Sequence, residues 1–213
     1  DHVGVLRVER FVRWLSNEGI RVVVVGAGPH DHVAEKSWGV QVTVRDPLGG
    51  YARAAPGSAP IPTRTPNRLR AMAVNALLMP DAKIVWAKRA EHHRAVEALG
   101  LGATWVISSS PPESAHLAAA ALAKRWGAEH IVDMRDGWLD EPLKRLLQIS
   151  RLQRWREGKL ERAVLEPGTK IFVVSDVLGE LLAERLPFVR AKLAVLTNCC
   201  PPEIQAPAAS QAT

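Results

Sequence analysis

The densest chemistry in the sequence lies in Asp133-Met134-Arg135-Asp136-Gly137-Trp138, where three ionisable groups and an indole follow directly on an apolar run. Arg135 carries a planar fork of donors suited to phosphate or carboxylate, and Asp136 can accept bonds from hydroxyl groups or take a proton. Trp138 could stack on a ring-shaped ligand or cover a sheet edge. The plainer reading of the same run is an Arg-Asp ion pair that fixes a loop.

A second candidate is Ser108-Ser109-Ser110-Pro111-Pro112, with Ser114 and His116 just beyond it. It reads as a strand exit followed by a helix start, where backbone amides attract anions or polar groups. Ser and Pro are equally normal as a plain helix cap, and a lone histidine such as His116 is more often a packing residue than a catalyst. A third pattern is Gly26-Ala27-Gly28 with Asp46 about twenty residues on, the spacing of a dinucleotide site. It is a poor match, because Pro29 intrudes, Asp31 stands where the third glycine belongs, and no long periodic helix follows. An NAD(P)-dependent enzyme is therefore a weak rival.

The elements that must hold these residues alternate. Val5, Val8, Phe11, Val12 and Leu15 recur at helical steps, and Gly19 closes that helix. Ile20–Val25 and Val40–Val44 read as strands, and 45–66, crowded with Pro, Gly, Ala and Arg, as a surface loop. Helices are expected from Asn67 to about Met79, over Ile84–Leu99, Glu113–Trp126, Trp138–Ile149, Leu152–Leu165 and Val177–Arg185. Strands are expected over Thr104–Ser108, Glu129–Met134, Lys170–Val174 and Lys192–Leu196. This order predicts an α/β fold, a Rossmann-like parallel sheet with helices on both faces. One domain over residues 1–200 and a disordered tail over 201–213 account for the length. Ligands in such sheets bind beyond the carboxyl ends of the strands, which selects the loop at Gly4, the segment Ser108–His116, the segment Asp133–Trp138, and Asn198.

The 28 Lys and Arg against 22 Asp and Glu leave +6, an excess that favours anionic partners without selecting one. Part of it lies between Lys144 and Arg162, either a solvated helix face or a membrane-surface patch. No apolar run reaches the roughly 18 residues of a membrane span, and no signal peptide is visible. The two cysteines, Cys199 and Cys200, are adjacent and cannot form an ordinary disulfide, which points to a reducing compartment and hence the cytoplasm.

The stretch Ile107 to Leu117, with Ser108, Ser109, Ser110 and His116, followed by Ile131 to Trp138, resembles the paired segments of family 4 glycosyltransferases of the GT-B type. Leu160-Glu161, Ile171-Phe172-Val173-Val174-Ser175 and Leu196-Thr197-Asn198 continue in the family's order, and Gly4-Val5-Leu6-Arg7 is similar to its glycine loop and first helix. The resemblance spans Gly4 to Asn198 and implies the N-terminal, acceptor-side half of a retaining glycosyltransferase without an obligatory metal or other cofactor. A nucleotide-sugar would be the donor and a glycan or lipid-linked molecule the acceptor, with no nucleic acid partner. It further implies that the Gly4 loop, with Arg7, approaches the donor diphosphate, and that Ser109, Ser110, Arg135, Trp138 and Asn198 line the substrate side. His116 and Asp136 would be the catalytic pair.

Three departures accompany the resemblance. No first strand precedes Gly4, Cys199 and Cys200 stand where the family has glycine and then an acidic residue, and no donor-binding domain follows. The chain is thus expected to be inactive alone, completed by a C-terminal donor-binding domain or subunit, with peripheral contact at the inner face of a membrane. A non-catalytic module that binds a glycan or a protein partner is the alternative.

Overall fold

The computed structural model describes residues 3–48, 78–141 and 150–198. The chain opens with helix α1 (Val3–Asn17) and then strands β1 (Val23–Gly28), β2 (His32–Lys36) and β3 (Gly39–Arg45). Helices α2 (Ile84–Glu91) and α3 (Arg94–Gly100) lead to strand β4 (Trp105–Ser110), helix α4 (Ser114–Trp126) and strand β5 (Glu129–Met134). Helix α5 (Arg151–Leu165), strand β6 (Lys170–Val173), helix α6 (Asp176–Arg185), a 3-10 turn (Pro187–Lys192) and strand β7 (Leu193–Val195) complete it. Glycine ends α1 as expected: Gly19 takes a left-handed φ of 75°, and Ile20 N–H returns to Leu15 O.

The expected α/β architecture is realised, with one division. Strands β4, β5, β6 and β7 form a wholly parallel sheet in that order, while β1, β3 and β2 form a separate one, β1 parallel to β3 and β2 antiparallel to it. Arg7 of α1 bonds residues at the ends of β5 and β7, and β1 starts beyond the far end of that helix. Among the described residues, the free edges of β1 and β4 pair with nothing. Both edges line one apolar groove of about 540 Å³, walled by Val8, Phe11 and Leu15 of α1 and by Ala118 and Leu122 of α4.

Two apolar cores follow the two sheets. Val42 and Val44 pack with Trp86, Ala90, Val96, Ala118 and Leu122, so α4 reaches across to the smaller sheet. Val132, Met134, Ile171 and Val173 pack with Trp138, Leu165, Leu182 and Val189 beneath the larger one.

Several expectations are corrected. The helix read over Ile84–Leu99 is two helices that break at His92 and His93, and the exposed strand β2 has no counterpart in the sequence reading. Trp138, Leu139 and Asp140 form a turn where a helix was expected, and the rest of that stretch lies outside the described residues, as does the loop beyond Leu48. The helix from Asn67 lies outside them too, except Leu78 and Met79, which are not helical, and so do Cys199, Cys200 and the tail. Among the described residues, no helix is long and apolar enough to cross a membrane.

Candidate active site at the strand ends

Parallel register sets Ser109 beside Asp133 and Asp133 beside Phe172, so the polar residues that end β4 and β5 share one row. Asp133 is the hub of that row. Its carboxylate is fully buried and accepts Ser109 Oγ–H at 2.8 Å, Arg7 Nη2–H at 2.7 Å and Arg7 Nε–H at 3.0 Å. The same guanidinium donates to Leu196 O at 2.9 Å, to Thr197 O at 3.3 Å and to Asn198 Oδ1 at 3.1 Å. One side chain thereby ties α1 to the ends of β5 and β7, and Ser109 of β4 joins through Asp133. Gly4 stands one turn earlier in that helix, where first-turn amides lack intrahelical acceptors and so favour anions.

The next residues of β5's exit build the rim. Arg135 donates from Nε to Ser110 O at 2.6 Å and from Nη2 to Pro111 O at 3.1 Å, holding the Ser-Pro run against the end of β5. Arg135 thus fixes the loop through carbonyls rather than through the expected Arg-Asp ion pair, and Asp136 is exposed. Trp138 turns inward at 1% exposure, which covers the sheet and leaves no face for a ligand in this conformation. Ser110 is buried as well. The helix cap is supplied from a distance: Asp81 accepts the Ser114 backbone N–H and the Ser114 hydroxyl, each at 2.8 Å.

His116 does not open onto the rim. Its ring is wholly buried, 6.1 Å from the Trp138 ring between centroids, and its Nδ1 lies 2.7 Å from Ser108 Oγ. Ser108 Oγ also lies 2.8 Å from His130 Nε2. A hydroxyl has one proton, so it can donate to only one of the two imidazoles, and a ring that accepts it is neutral. Burial, reinforced by the neighbouring His130 and Arg135, drives His116 down to about 3, and burial drives His130 to about 4. Among the described residues, the far nitrogens, His116 Nε2 and His130 Nδ1, have no partner, nor does the Trp138 indole N–H.

The structure thus gathers Arg7, Ser109, Arg135, Asp136 and Asn198 at one end of the sheet, with Gly4 near them, and sets His116, Ser110 and Trp138 beneath the surface. Asp133 is the residue whose central place the sequence reading missed. Its position as the first acid of a strand end was visible, but its partner Arg7 lies 126 residues away. The dinucleotide pattern dissolves: Gly26, Ala27 and Gly28 lie inside β1, paired with Thr43, Val44 and Arg45, and a strand follows them instead of a helix. Asp46 is buried against Lys83 and accepts Leu48 N–H, so it is not presented to a ribose. Among the described residues, no group of three or more His, Cys, Asp or Glu side chains is placed to hold a metal ion.

The family model described as a glycosyl transferase 4-like domain matches residues 4–199. The chain belongs to the glycosyl transferase 4-like family. The match begins at Gly4 and takes in the whole strand-end cluster from Arg7 to Asn198. No curated protein matches the chain. Membership of the glycosyl transferase 4-like family gives the chain a glycosyl-transfer type of function.

Proposed function

We propose that this domain is the acceptor-side half of a retaining hexosyltransferase, which moves a sugar from a nucleotide-sugar to a glycan or lipid-linked acceptor in polysaccharide synthesis on the cytoplasmic side of a membrane. The observation that carries the reading is the Arg7–Asp133 pair, which locks the start of α1 to three strand ends and sets Ser109 and Asn198 beside it. Glycosyl transfer needs a stabilised diphosphate leaving group and a positioned hydroxyl, tasks of placement and electrostatics. In this reading the first-turn amides at Gly4 and the Ser109 hydroxyl serve phosphate or sugar oxygens. Asp136, exposed on the rim, is the catalytic residue that orients the acceptor hydroxyl. Arg7 and His116 act as positioning residues, Arg7 through Asp133 and His116 through Ser108 and Trp138. Arg135 positions the Ser-Pro run, and Trp138 braces the loop beneath it.

The donor's nucleotide is left to a second domain or subunit, so the chain alone is expected to turn nothing over. The test is sugar transfer from labelled UDP- and GDP-sugars to a lipid-linked oligosaccharide, with the chain alone and with a donor-side half of the same family added. Turnover in the mixture only, reduced by Asp136→Ala, supports the reading. No transfer with any donor removes it.

A second reading is favoured by one observation: Arg7 and Arg135 spend their forks on protein groups and His116 is buried, so the rim is rigid but sparsely armed. A non-catalytic module that binds a glycan or a partner would look the same. Glycan binding by the isolated chain, with no gain of turnover when a donor half is added, would select it.

A further inference from the structure

Helix α5 has its charges sorted by face. Both of its acids point inward: Glu157 is 2% exposed and Glu161 is fully buried, gripped by Arg185 at 2.5 and 2.9 Å. Arg151, Leu152, Trp155, Arg156, Lys159 and Arg162 are all exposed. At about 100° per residue these six share an arc of about 140°, which holds no acid within Arg151–Leu165 and meets one only at the exposed cap residue Glu166. Two large apolar side chains sit in the middle of that cationic arc, Trp155 at 56% and Leu152 at 60% exposure, one turn apart. The Lys159 ammonium lies 4.0 Å from the centre of the Trp155 ring.

A solvated helix face has no use for an indole and a leucine among cations, since both lose free energy by standing in water. A lipid surface uses both sets. Indoles settle at the headgroup level, long cationic side chains extend to phosphates, and basic residues near anionic lipid each add attraction. The location agrees, because Gly158 of α5 packs on Leu139, just past the Asp133–Trp138 run, so the first half of the helix lies toward the end of the sheet that carries the rim. We propose that this outward face of α5 is an attachment surface for anionic phospholipid membranes, with Trp155 and Leu152 entering the headgroup zone and Arg151, Arg156, Lys159 and Arg162 meeting lipid phosphates. This surface extends the membrane-side placement of the proposed function and rests in part on it, while its test involves no sugar transfer.

The test is sedimentation of the full chain at low salt with phosphatidylcholine vesicles that contain about 30% phosphatidylglycerol, and with phosphatidylcholine alone. The chain is expected to pellet with the anionic vesicles only. The paired change Arg151→Glu and Lys159→Glu should weaken that binding about tenfold or more, Trp155→Ser by several-fold, and Lys36→Glu on exposed β2 not at all. All four positions are exposed, so circular dichroism should show the fold retained. Absence of binding to anionic vesicles overturns the proposal. So does binding untouched by the paired charge reversal or by Trp155→Ser, or capture by RNA or heparin without capture by vesicles.

Discussion

Arg7 and Asp133 meet in a buried two-point ion pair, Nη2 to Oδ1 at 2.7 Å and Nε to Oδ2 at 3.0 Å. Removing one partner of such a pair strands the other charge, at a cost of about 3–5 kcal/mol. Arg7→Ala should lose that much in urea unfolding. Arg7→Lys keeps the charge but not the fork that also serves Leu196 O, and should lose about 2 kcal/mol. A change below about 0.5 kcal/mol for either variant would mean that the pair does not hold the site together.

Acid should weaken the fold through Ser108's two partners. His116 and His130, at about 3 and about 4 when folded, refuse protons that the unfolded chain accepts from about pH 6.5 downward. Their contribution is complete above about pH 6.5 and is lost as pH falls toward 4, roughly 3 kcal/mol for each histidine. Urea midpoints between about pH 7.5 and pH 4.5 measure the slope, and His116→Gln should make it shallower. An equal slope in the variant would remove His116 from the account.

Arg185 neutralises two carboxylates at once, bonding Asp140 at 2.7 Å and Glu161 at 2.5 Å. Burial already raises Glu161 despite the opposing pull of Arg185. In Arg185→Ala that pull is gone, so the folded state holds a proton on buried Glu161 more tightly than the unfolded chain does. The loss, about 3–5 kcal/mol near neutral pH, should shrink as pH falls toward about 5. Calorimetry of variant and parent at the two pH values checks the direction.

Asp136→Ala separates chemistry from folding. The side chain is exposed, so the thermal midpoint should correspond to a change within about 0.5 kcal/mol, while transfer in the completed enzyme falls about a hundredfold. Full turnover in the variant would take away the role proposed for it.

The edges of β1 and β4, unpaired among the described residues, should be visible in amide exchange. In a parallel strand successive amides point to opposite sides, so along 23–28 and 105–110 every second N–H faces the groove. Those amides should exchange much faster than their neighbours bonded to β3 and β5. Uniform protection along either strand would mean that its edge is covered.

Much of the architecture could be read because its pattern is local. The stripe from Val8 to Leu15 gave α1, and the β-branched runs gave β4, β5 and β6 nearly in register. Strand β2, His32-Val33-Ala34-Glu35-Lys36, escaped because it is mostly exposed and is held by its ladder to β3 rather than by an apolar face. The break at His92 and His93 escaped because the apolar period runs through it without a glycine or proline. At the site, the strand-end rule found the right segments, but it says nothing of which way a side chain turns. His116 and Trp138 face inward because Ser108 and the core beneath β5 hold them, and those partners are set by tertiary packing.

The division between β1 and β4 has a mechanical consequence. No backbone ladder spans the seam among the described residues, so cooperativity between the two sheets rests on side chains that cross it. Ala118 and Leu122 of α4, packed with Val42 and Val44, and Arg125 and Trp126 of α4, bonded to Glu91 and Glu97, are among the crossings. Loosening them would let the β1–β3 unit melt ahead of the four-stranded one, in two steps rather than one.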